Sequence, residues 1–491
     1  MGACLAMDPL LITRIELPTK TLRTPWEVPF LVTVLLPVAA GMILLMPVWG
    51  REGGLDRLIW FLLILSVFAP GIPAFLGIGS LATAVFVLLT RVALGWEFRI
   101  VPTVANPFMA GLFVTFLLSL IPIRDLGGWV RAMMERSVHI LLFLFMVNTV
   151  RTRQQLWYVL RCASWCAVGT GAFAVAQFLL IWYGLTTFNL GPKPLRFTSS
   201  PIGILPRVSA LFNHPNGLGG TMTVFGLVLL FMAFGRAPVS WPRRGAMLAG
   251  GILVVLGNVV SFSRGAWLAM GVAVLMLPLL RRPASGLYFL PLLGLLGGVG
   301  YLTGLLDRVW TAIVHINVAS ADFRYYVADL AMEAIWEHPL LGVGINRLEE
   351  YNNPFRLPAH NSILQASSEV GLPAGILTVG FIAVLFIRLF RAMRHTRDPW
   401  DEAALKGLTL GLVGACIHSQ FDAFMYAKAI WLYLALVECA ILILAGQAAE
   451  PGAPLVFARP GRPRQDDGSQ SPDSTERGKG SRLTRPLIRK G

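Results

Sequence analysis

The chain has 491 residues, of which 55% are hydrophobic and only 14% are charged, whereas soluble domains carry about 25% charged residues. This composition excludes an ordinary soluble protein and predicts a polytopic membrane protein. The formal net charge of +15 does not indicate nucleic-acid binding, because the basic residues lie in short loops between apolar segments and in the C-terminal tail. That distribution of Lys and Arg is typical of membrane topology.

Long apolar segments follow one another through most of the chain, and they do not alternate polar and apolar residues as the strands of an outer-membrane barrel do. We therefore expect an all-α polytopic membrane protein with about 12–13 transmembrane helices, each of about 20 residues. The predicted organisation is a polar N-terminal segment (1–27), transmembrane helices (28–305), a large outer loop with short helices (306–362), C-terminal transmembrane helices (363–446) and a disordered basic tail (447–491).

The arginines between the apolar segments predict the orientation of the helices. Four loops are rich in basic residues, near 151–161, 236–244, 281–282 and 388–406. Because Lys and Arg are retained in the cytoplasm, we expect these loops and the basic tail on the cytoplasmic side. The intervening loops then face outward, namely 184–208, 261–265, 306–362 and 421–427.

Three of the outward segments place an arginine at a membrane boundary. In "PRVSALFNHPNGLGG" (206–220), Arg207 precedes a predicted helix over 209–234, and Asn216 lies near the same boundary. In "SFSRGAW" (261–267), Arg264 sits in a turn so tight that its guanidinium faces either lipid headgroups or the bundle interior. Arg324 lies on a predicted helix of the large loop. The alternatives are interfacial anchors that reach the lipid headgroups and, for Arg324, a solvated helix face.

A fourth cluster of polar residues on the outward side is "AHNSILQASSEVGLPAG" (359–375), at the start of a predicted helix over 363–390. His360 can accept or hold a proton near neutral pH. Glu369 follows about two helical turns after Asn361, and either Asn361 or Ser362 can cap the helix. The alternative is that His360 only caps the helix or packs against it.

Together, these residues favour the chemistry of phosphate groups. A planar guanidinium binds phosphate through paired hydrogen bonds, and two or three arginines suit a pyrophosphate. A histidine can then act as a base toward an incoming hydroxyl. The sequence contains no Walker A motif, dinucleotide-binding fingerprint or kinase signature, and its five cysteines lack the spacing of metal ligands. The residues predict a transferase that acts on a lipid phosphate without a metal or a cofactor.

Several of these motifs, in this order, resemble those of the O-antigen ligase and polymerase superfamily. They are "RVSALFNHPNGLG", "SFSRGAW", "FRYYVADLAMEAIWEHPLLGVG" and "HNSILQASSEVGLPAG", and the later "HSQFDAFMYAKAIWLYLAL" also fits, with Asp422 as an outward aspartate. The resemblance covers residues 200–446, whereas the N-terminal half is similar in topology only. It implies a GT-C-like, metal-independent membrane glycosyltransferase in the bacterial inner membrane, with its active site facing the periplasm.

The resemblance also implies roles for individual residues. His360 matches an essential histidine proposed as the base, and Glu369 matches an acidic position that follows it. Arg207, Arg264 and Arg324 match arginines proposed to bind the pyrophosphate, and we add Asn216 to this group. The implied donor is a glycan on undecaprenyl pyrophosphate. The implied acceptor is a lipid A-core sugar or another glycan, and membrane lipid surrounds the protein.

Three alternatives to an O-antigen ligase follow from the sequence. The same fold serves polymerases of O-antigen or exopolysaccharide repeat units and enzymes that O-glycosylate proteins. From a different class, a flippase or other transporter of lipid-linked sugars would also carry ionisable residues within the membrane. The sequence shows no internal repeat of the kind many transporters have, and its ionisable residues cluster on one side. These features favour the enzyme.

Overall fold

The computed structural model describes residues 54–68, 100–122, 125–185, 196–200, 203–234, 240–281, 319–351 and 357–445, with short stretches between 291 and 304. These residues include twelve α-helices. They are α1 (Gly54–Phe68), α2 (Ala105–Leu118), α3 (Leu126–Thr149), α4 (Arg153–Trp182), α5 (Pro215–Phe234), α6 (Trp241–Val260), α7 (Arg264–Arg281), α8 (Ala319–Glu337), α9 (Ser362–Val370), α10 (Leu372–His395), α11 (Pro399–His418) and α12 (Lys428–Leu444). A 3₁₀ helix spans Phe424–Tyr426.

The predicted class, an all-α polytopic membrane protein, is confirmed. Four of the described helices, α4, α5, α6 and α10, are long and apolar enough to cross a membrane, and α2 and α7 are shorter apolar helices. The predicted N-terminal segment 1–27, residues 28–53 and 69–99 of the predicted transmembrane region and the tail from 447 lie outside the described residues. The count of 12–13 spans and the domain boundaries therefore remain predictions.

A small antiparallel hairpin was not expected from the sequence. Its strands are β1 (Arg196–Ser200) and β2 (Gly203–Arg207), and Arg196 pairs with Arg207. The hairpin lies in a segment predicted as an outer loop, and its last residue is Arg207. The backbone N–H of Val208 then donates to the carbonyl of Val260 at the end of α6, which fixes the exit of the hairpin against the helical bundle.

Helix α5 is the centre of the bundle. It packs against α6, α7 and α11, while α4 packs on α6 and α12 packs on α3. Connectivity places the starts of α5 and α7 and the ends of α6 and α11 at the same end of the bundle, which we call the site end. The opposite end carries the starts of α4, α6 and α11 and the end of α10. There Arg153 forms ion pairs with Asp398 at 2.8 Å and Asp401 at 2.9 Å.

Two predicted helix boundaries differ from the structure, and a proline or a glycine explains each difference. Helix α5 begins at Pro215 rather than at residue 209, because the fixed φ and missing N–H of proline suit the first position of a helix. The predicted helix over 363–390 is two helices that break at Gly371, whose φ is +95°. A Cβ at Gly371 would collide with the carbonyl oxygen of Leu340. Glycine at the break therefore allows the large loop to pack closely against the end of α9.

Candidate functional site

Arg207 and Asn216 meet at the site end, as predicted. Arg207 closes β2, and its Nη2 donates to Asn216 Oδ1 at 3.3 Å, while its Nε reaches the carbonyl of Ser261 at 3.5 Å. Asn216 is the second residue of α5 and is almost fully buried. The guanidinium is therefore held between the start of α5 and the turn that joins α6 to α7.

Arg264 and Arg324 also come together, although 60 residues of sequence separate them. Arg264 is the first residue of α7, and Arg324 lies on α8 in the large loop. Burial lowers the pKa of Arg324, Asp422 raises it and the nearby positive charge of Arg264 lowers it. Two half-buried guanidinium groups that repel one another form an environment that an anion would stabilise.

The start of α7 approaches the loop after α11 closely. A Cβ at Gly265 would lie 2.5 Å from the Cβ of Phe421, so glycine allows the two backbones to meet. Phe421 directly precedes Asp422 in the sequence. This contact brings Arg264 to the loop that carries the carboxylate.

His360 lies immediately before the cap of α9, in a left-handed backbone conformation with φ +51°. The predicted cap is confirmed, because the side chain of Asn361 accepts hydrogen bonds from the N–H groups of Ile363 and Leu364 at 3.0 and 3.1 Å. The Nδ1 atom of His360 lies 3.5 Å from Asp422 Oδ1, with both side chains about one-fifth exposed. The helix cap and the unusual φ together direct the imidazole toward Asp422.

Three of the described histidines, His214, His360 and His418, lie near the carboxylate of Asp422. Its Oδ2 lies 3.9 Å from Nε2 of His418, a buried ring that packs edge-on against Phe424. Burial alone would raise the pKa of Asp422, but His360 and the nearby His418 and His214 lower it to about 2. Asp422 therefore stays ionised at any physiological pH and can hold the imidazole of His360 in one orientation.

The arrangement combines a cationic surface with a histidine–aspartate pair. The predicted residues Arg207, Arg264, Arg324, Asn216 and His360 all lie at the site end. In the part of the chain that the structure describes, no group of three or more His, Cys, Asp or Glu side chains has the geometry of a metal site. The residues present can bind an anion and move a proton.

The structure places Glu369 elsewhere. It is on the last turn of α9, and its side chain is 0% exposed. Its Oε2 accepts a hydrogen bond of 3.0 Å from the hydroxyl of Tyr426, and its Oε1 accepts one from the side-chain amide of Gln365. The predicted catalytic role for Glu369 remains a prediction, and its contacts are with a buried polar cluster rather than with His360.

Burial of Glu369 makes a prediction about pH. Burial raises the pKa of this carboxyl from 4.5 to about 7, although Arg136, the backbone of Asn346, Tyr426 and Gln365 lower it. The folded protein therefore keeps a proton that the unfolded chain has lost between these two values. The free energy of unfolding should fall by on the order of 3 kcal/mol as the pH rises through this window.

The measurement is thermal unfolding of the detergent-purified protein at pH 5 and pH 8. We expect the melting temperature of the wild type to fall more between these values than that of Glu369→Gln, whose amide does not titrate. An identical pH dependence in the two proteins would show that Glu369 does not hold the extra proton.

Sequence reasoning missed His418 and did not select Asp422 as a site residue. The two residues are four apart in "HSQFD", a spacing that would have aligned them on one helix face. The structure instead ends α11 at His418 and turns the chain, so that Asp422 faces both His418 and His360. The presence of two titratable residues, His418 and Asp422, at the end of an apolar segment could have indicated that they belong to the site.

The comparisons with known proteins support these observations. The sequence profile of a family described as O-antigen ligase matches residues 249–379. This range contains Arg264, Arg324, His360 and Glu369, and it ends within α10. A search of curated proteins gave no match. The match supports the resemblance to the O-antigen ligase superfamily over this range, whereas Arg207, Asn216 and Asp422 lie outside it.

Proposed function

We propose that this chain, a member of the O-antigen ligase superfamily, transfers a glycan from undecaprenyl pyrophosphate to an acceptor hydroxyl at the periplasmic face of the bacterial inner membrane. The observation that carries the proposal is the meeting of four parts of the fold: His360 lies 3.5 Å from Asp422, the charges of Asp422 and Arg264 both act on Arg324, and Gly265 brings the start of α7 against Phe421. The preferred acceptor is a sugar of the lipid A core, which makes the protein an O-antigen ligase.

The arginines at the site end are the proposed binding groups for the pyrophosphate of the donor. Arg324 lies near both Arg264 and Asp422, so this site presents two guanidinium groups whose charge a pyrophosphate would neutralise. Arg207 is pre-oriented by Asn216 and the Ser261 carbonyl, which lowers the entropic cost of binding. The apolar helices at the site end would hold the lipid chain of the donor.

His360 is the proposed base that removes the proton of the acceptor hydroxyl. With Nδ1 of His360 directed at Asp422, its Nε2 is the ring atom that takes the proton of the acceptor hydroxyl. The acceptor oxygen then attacks the anomeric carbon, and the bond from that carbon to the pyrophosphate oxygen breaks. Undecaprenyl pyrophosphate leaves as an anion that the arginines stabilise. A single displacement of this kind inverts the anomeric carbon.

The sidedness of the charges supports the periplasmic assignment. Arginines of the described helix ends, such as Arg153, Arg243 and Arg394, lie at the end of the bundle opposite the site. The positive-inside rule assigns that end to the cytoplasm. The donor would then meet His360 on the outer side of the membrane.

The test is a reconstituted reaction. Purified wild-type protein is mixed with an undecaprenyl-pyrophosphate-linked glycan and a lipid A-core acceptor, with and without EDTA. We expect the glycan on the lipid A core, released undecaprenyl pyrophosphate and no inhibition by EDTA. Glycan joined only to a second carrier-linked unit would indicate a polymerase. Passage of the intact lipid-linked glycan across liposomes would indicate a transporter, and EDTA inhibition reversed by a divalent ion would overturn the metal-free mechanism.

A further inference from the structure

A second polar cluster is buried beside the candidate site. We call it the positioning cluster and define it as Arg136, Asn346, Glu369 and Tyr426. The guanidinium of Arg136 stacks 3.7 Å above the ring of Tyr426, and its Nη2 donates to Asn346 Oδ1 at 2.7 Å. The hydroxyl of Tyr426 donates to Glu369 Oε2 at 3.0 Å. Four separate parts of the chain therefore meet in one network: α3, the large loop, α9 and the 3₁₀ helix.

Burying this polar network costs free energy unless its members are hydrogen-bonded to one another. Arg136 is only 7% exposed and Glu369 is 0% exposed. Asn346, Tyr426 and Gln365 supply most of the partners that such buried groups need, while Nε of Arg136 has none among the described residues. The large loop adds two further contacts, because the N–H groups of Val343 and Gly344 donate to the carbonyls of Ser368 and Glu369 at 2.9 Å. The last turn of α9 is thus fixed on several sides.

Two segments that carry the site residues run side by side and are joined near the start and near the end of α9. The first junction is centred on Ser362, whose hydroxyl donates to the carbonyl of Asp422 at 2.9 Å and accepts from the N–H of Met425 at 3.1 Å. It also includes the N–H of Ser362, which donates to the carbonyl of Ser419 at 2.8 Å, and the side-chain amide of Asn361, which donates to Gln420 Oε1 at 3.0 Å. The second is the hydrogen bond between Tyr426 and Glu369, about 10 Å further along α9 at 1.5 Å per residue. Because two points fix a line, the second junction sets the angle and register of one segment against the other.

His360 and Asp422 are on opposite segments of this pair. His360 lies two residues before the start of α9, and Asp422 lies four residues before Tyr426. Their side chains are already 3.5 Å apart, so a small rotation about Ser362 would separate them beyond hydrogen-bond reach. Displacements of about 1 Å at a catalytic group can cost about 100-fold in rate.

We propose that Arg136, Asn346, Glu369 and Tyr426 form a positioning device that holds His360 and Asp422 in register, so that Glu369 acts through these residues and not on the substrate. This inference rests on the proposed function. The cluster sets the rate of the chemical step and leaves donor binding unchanged, because Arg264 and Arg324 are carried by α7 and α8, two helices that contribute no residue to the cluster.

The first test removes one hydroxyl. Tyr426→Phe deletes the hydrogen bond to Glu369 but keeps the ring beneath Arg136. We expect kcat to fall about 10-fold, with the KM for the lipid-pyrophosphate donor changed less than about 2-fold. Tyr433→Phe is the matched control, because its buried hydroxyl donates to the carbonyl of Leu408 within the bundle. The control should lose a similar amount of thermal stability and keep its kcat.

The second test exchanges the carboxylate. Glu369→Gln keeps an oxygen that can accept from Tyr426, whereas Glu369→Leu has a similar size and no acceptor. We expect the Gln variant to keep at least about one third of the wild-type kcat and the Leu variant to lose more than about 10-fold, with both purified as folded protein. Equal kcat values for the Gln and Leu variants would overturn the positioning role.

A double-mutant cycle separates positioning from general stability. If the cluster acts through Asp422, Tyr426→Phe should change kcat less than about 2-fold in an Asp422→Asn background. Full additivity would contradict the inference. The experiment distinguishes failure of the proposed function from failure of the positioning role. No glycan transfer by the wild type would contradict the proposed function. Normal transfer by both the wild type and Tyr426→Phe would contradict only the positioning role.

Discussion

Replacing His360 with glutamine is expected to lower glycan transfer by about 10²- to 10⁴-fold, the range that general-base catalysis contributes. Glutamine keeps the approximate size and polarity of the side chain but cannot accept the proton of the acceptor hydroxyl. Donor binding should change little, because the pyrophosphate is held by the arginines. The measurement is single-turnover transfer with a labelled lipid-pyrophosphate glycan, with donor binding determined separately.

The matched control is His338→Gln. His338 follows α8 in the same large loop. Its ring packs against Tyr351 and its N–H donates to the carbonyl of Ala334, so its contacts are with the large loop and α8 rather than with the loop that carries Asp422. This variant should transfer glycan at nearly the wild-type rate. A His360→Gln protein that turned over as fast as the control would remove the base from the mechanism.

Replacing Arg264 with alanine is expected to weaken donor binding by about 10- to 100-fold, since hydrogen bonds to a charged group contribute about 1.5–3 kcal/mol. Lysine at this position should recover only part of the loss, because a point charge remains while the paired geometry of the guanidinium is absent. Binding of the donor in detergent, measured over a range of salt concentrations, gives both values.

A control for the charge itself is available at the same end of the bundle. Arg131 is exposed on α3, and Arg131→Ala removes the same charge from the surface. We expect less than about a 2-fold change in donor affinity for this variant, because exposed charges are screened by salt. Complete recovery by Arg264→Lys would indicate that only net charge matters at Arg264.

The residues that the sequence could place correctly are those governed by local rules. Long apolar segments predicted the existence of α5 and α10, though not the residue at which each begins, because a spanning helix needs little beyond length and apolarity. Asn361 was predicted as a cap because its side chain satisfies N–H groups only a few residues away. The basic start of α4 and the basic end of α10 were predicted to share one side of the membrane, and the structure places both at the end of the bundle opposite the site.

The burial of Glu369 could not be predicted in the same way. Its position on α9 was clear, but the face that it presents depends on where the helix breaks, and the break at Gly371 is set by contact with Leu340 in the large loop. The partners of Glu369 come from α3 and the 3₁₀ helix, which are distant in sequence. Only tertiary packing decides whether a carboxylate faces substrate or a buried arginine.

The pairing of His360 with Asp422 is intermediate between these cases. The sequence placed both residues on the outer side of the membrane, which is a property of topology. It gave no distance between them, because the two residues are joined through Ser362 and the close approach of the chain after α11. The site end could therefore be predicted as a region, while the histidine–aspartate pair required the structure.

The most direct test of this account is the structure of the protein with undecaprenyl pyrophosphate bound in a lipid nanodisc. We expect the pyrophosphate within hydrogen-bond distance of the guanidinium groups of Arg264 and Arg324, with His360 facing the oxygen that is joined to the glycan in the intact donor. A pyrophosphate bound at the basic end of the bundle, beside Arg153, would contradict the account.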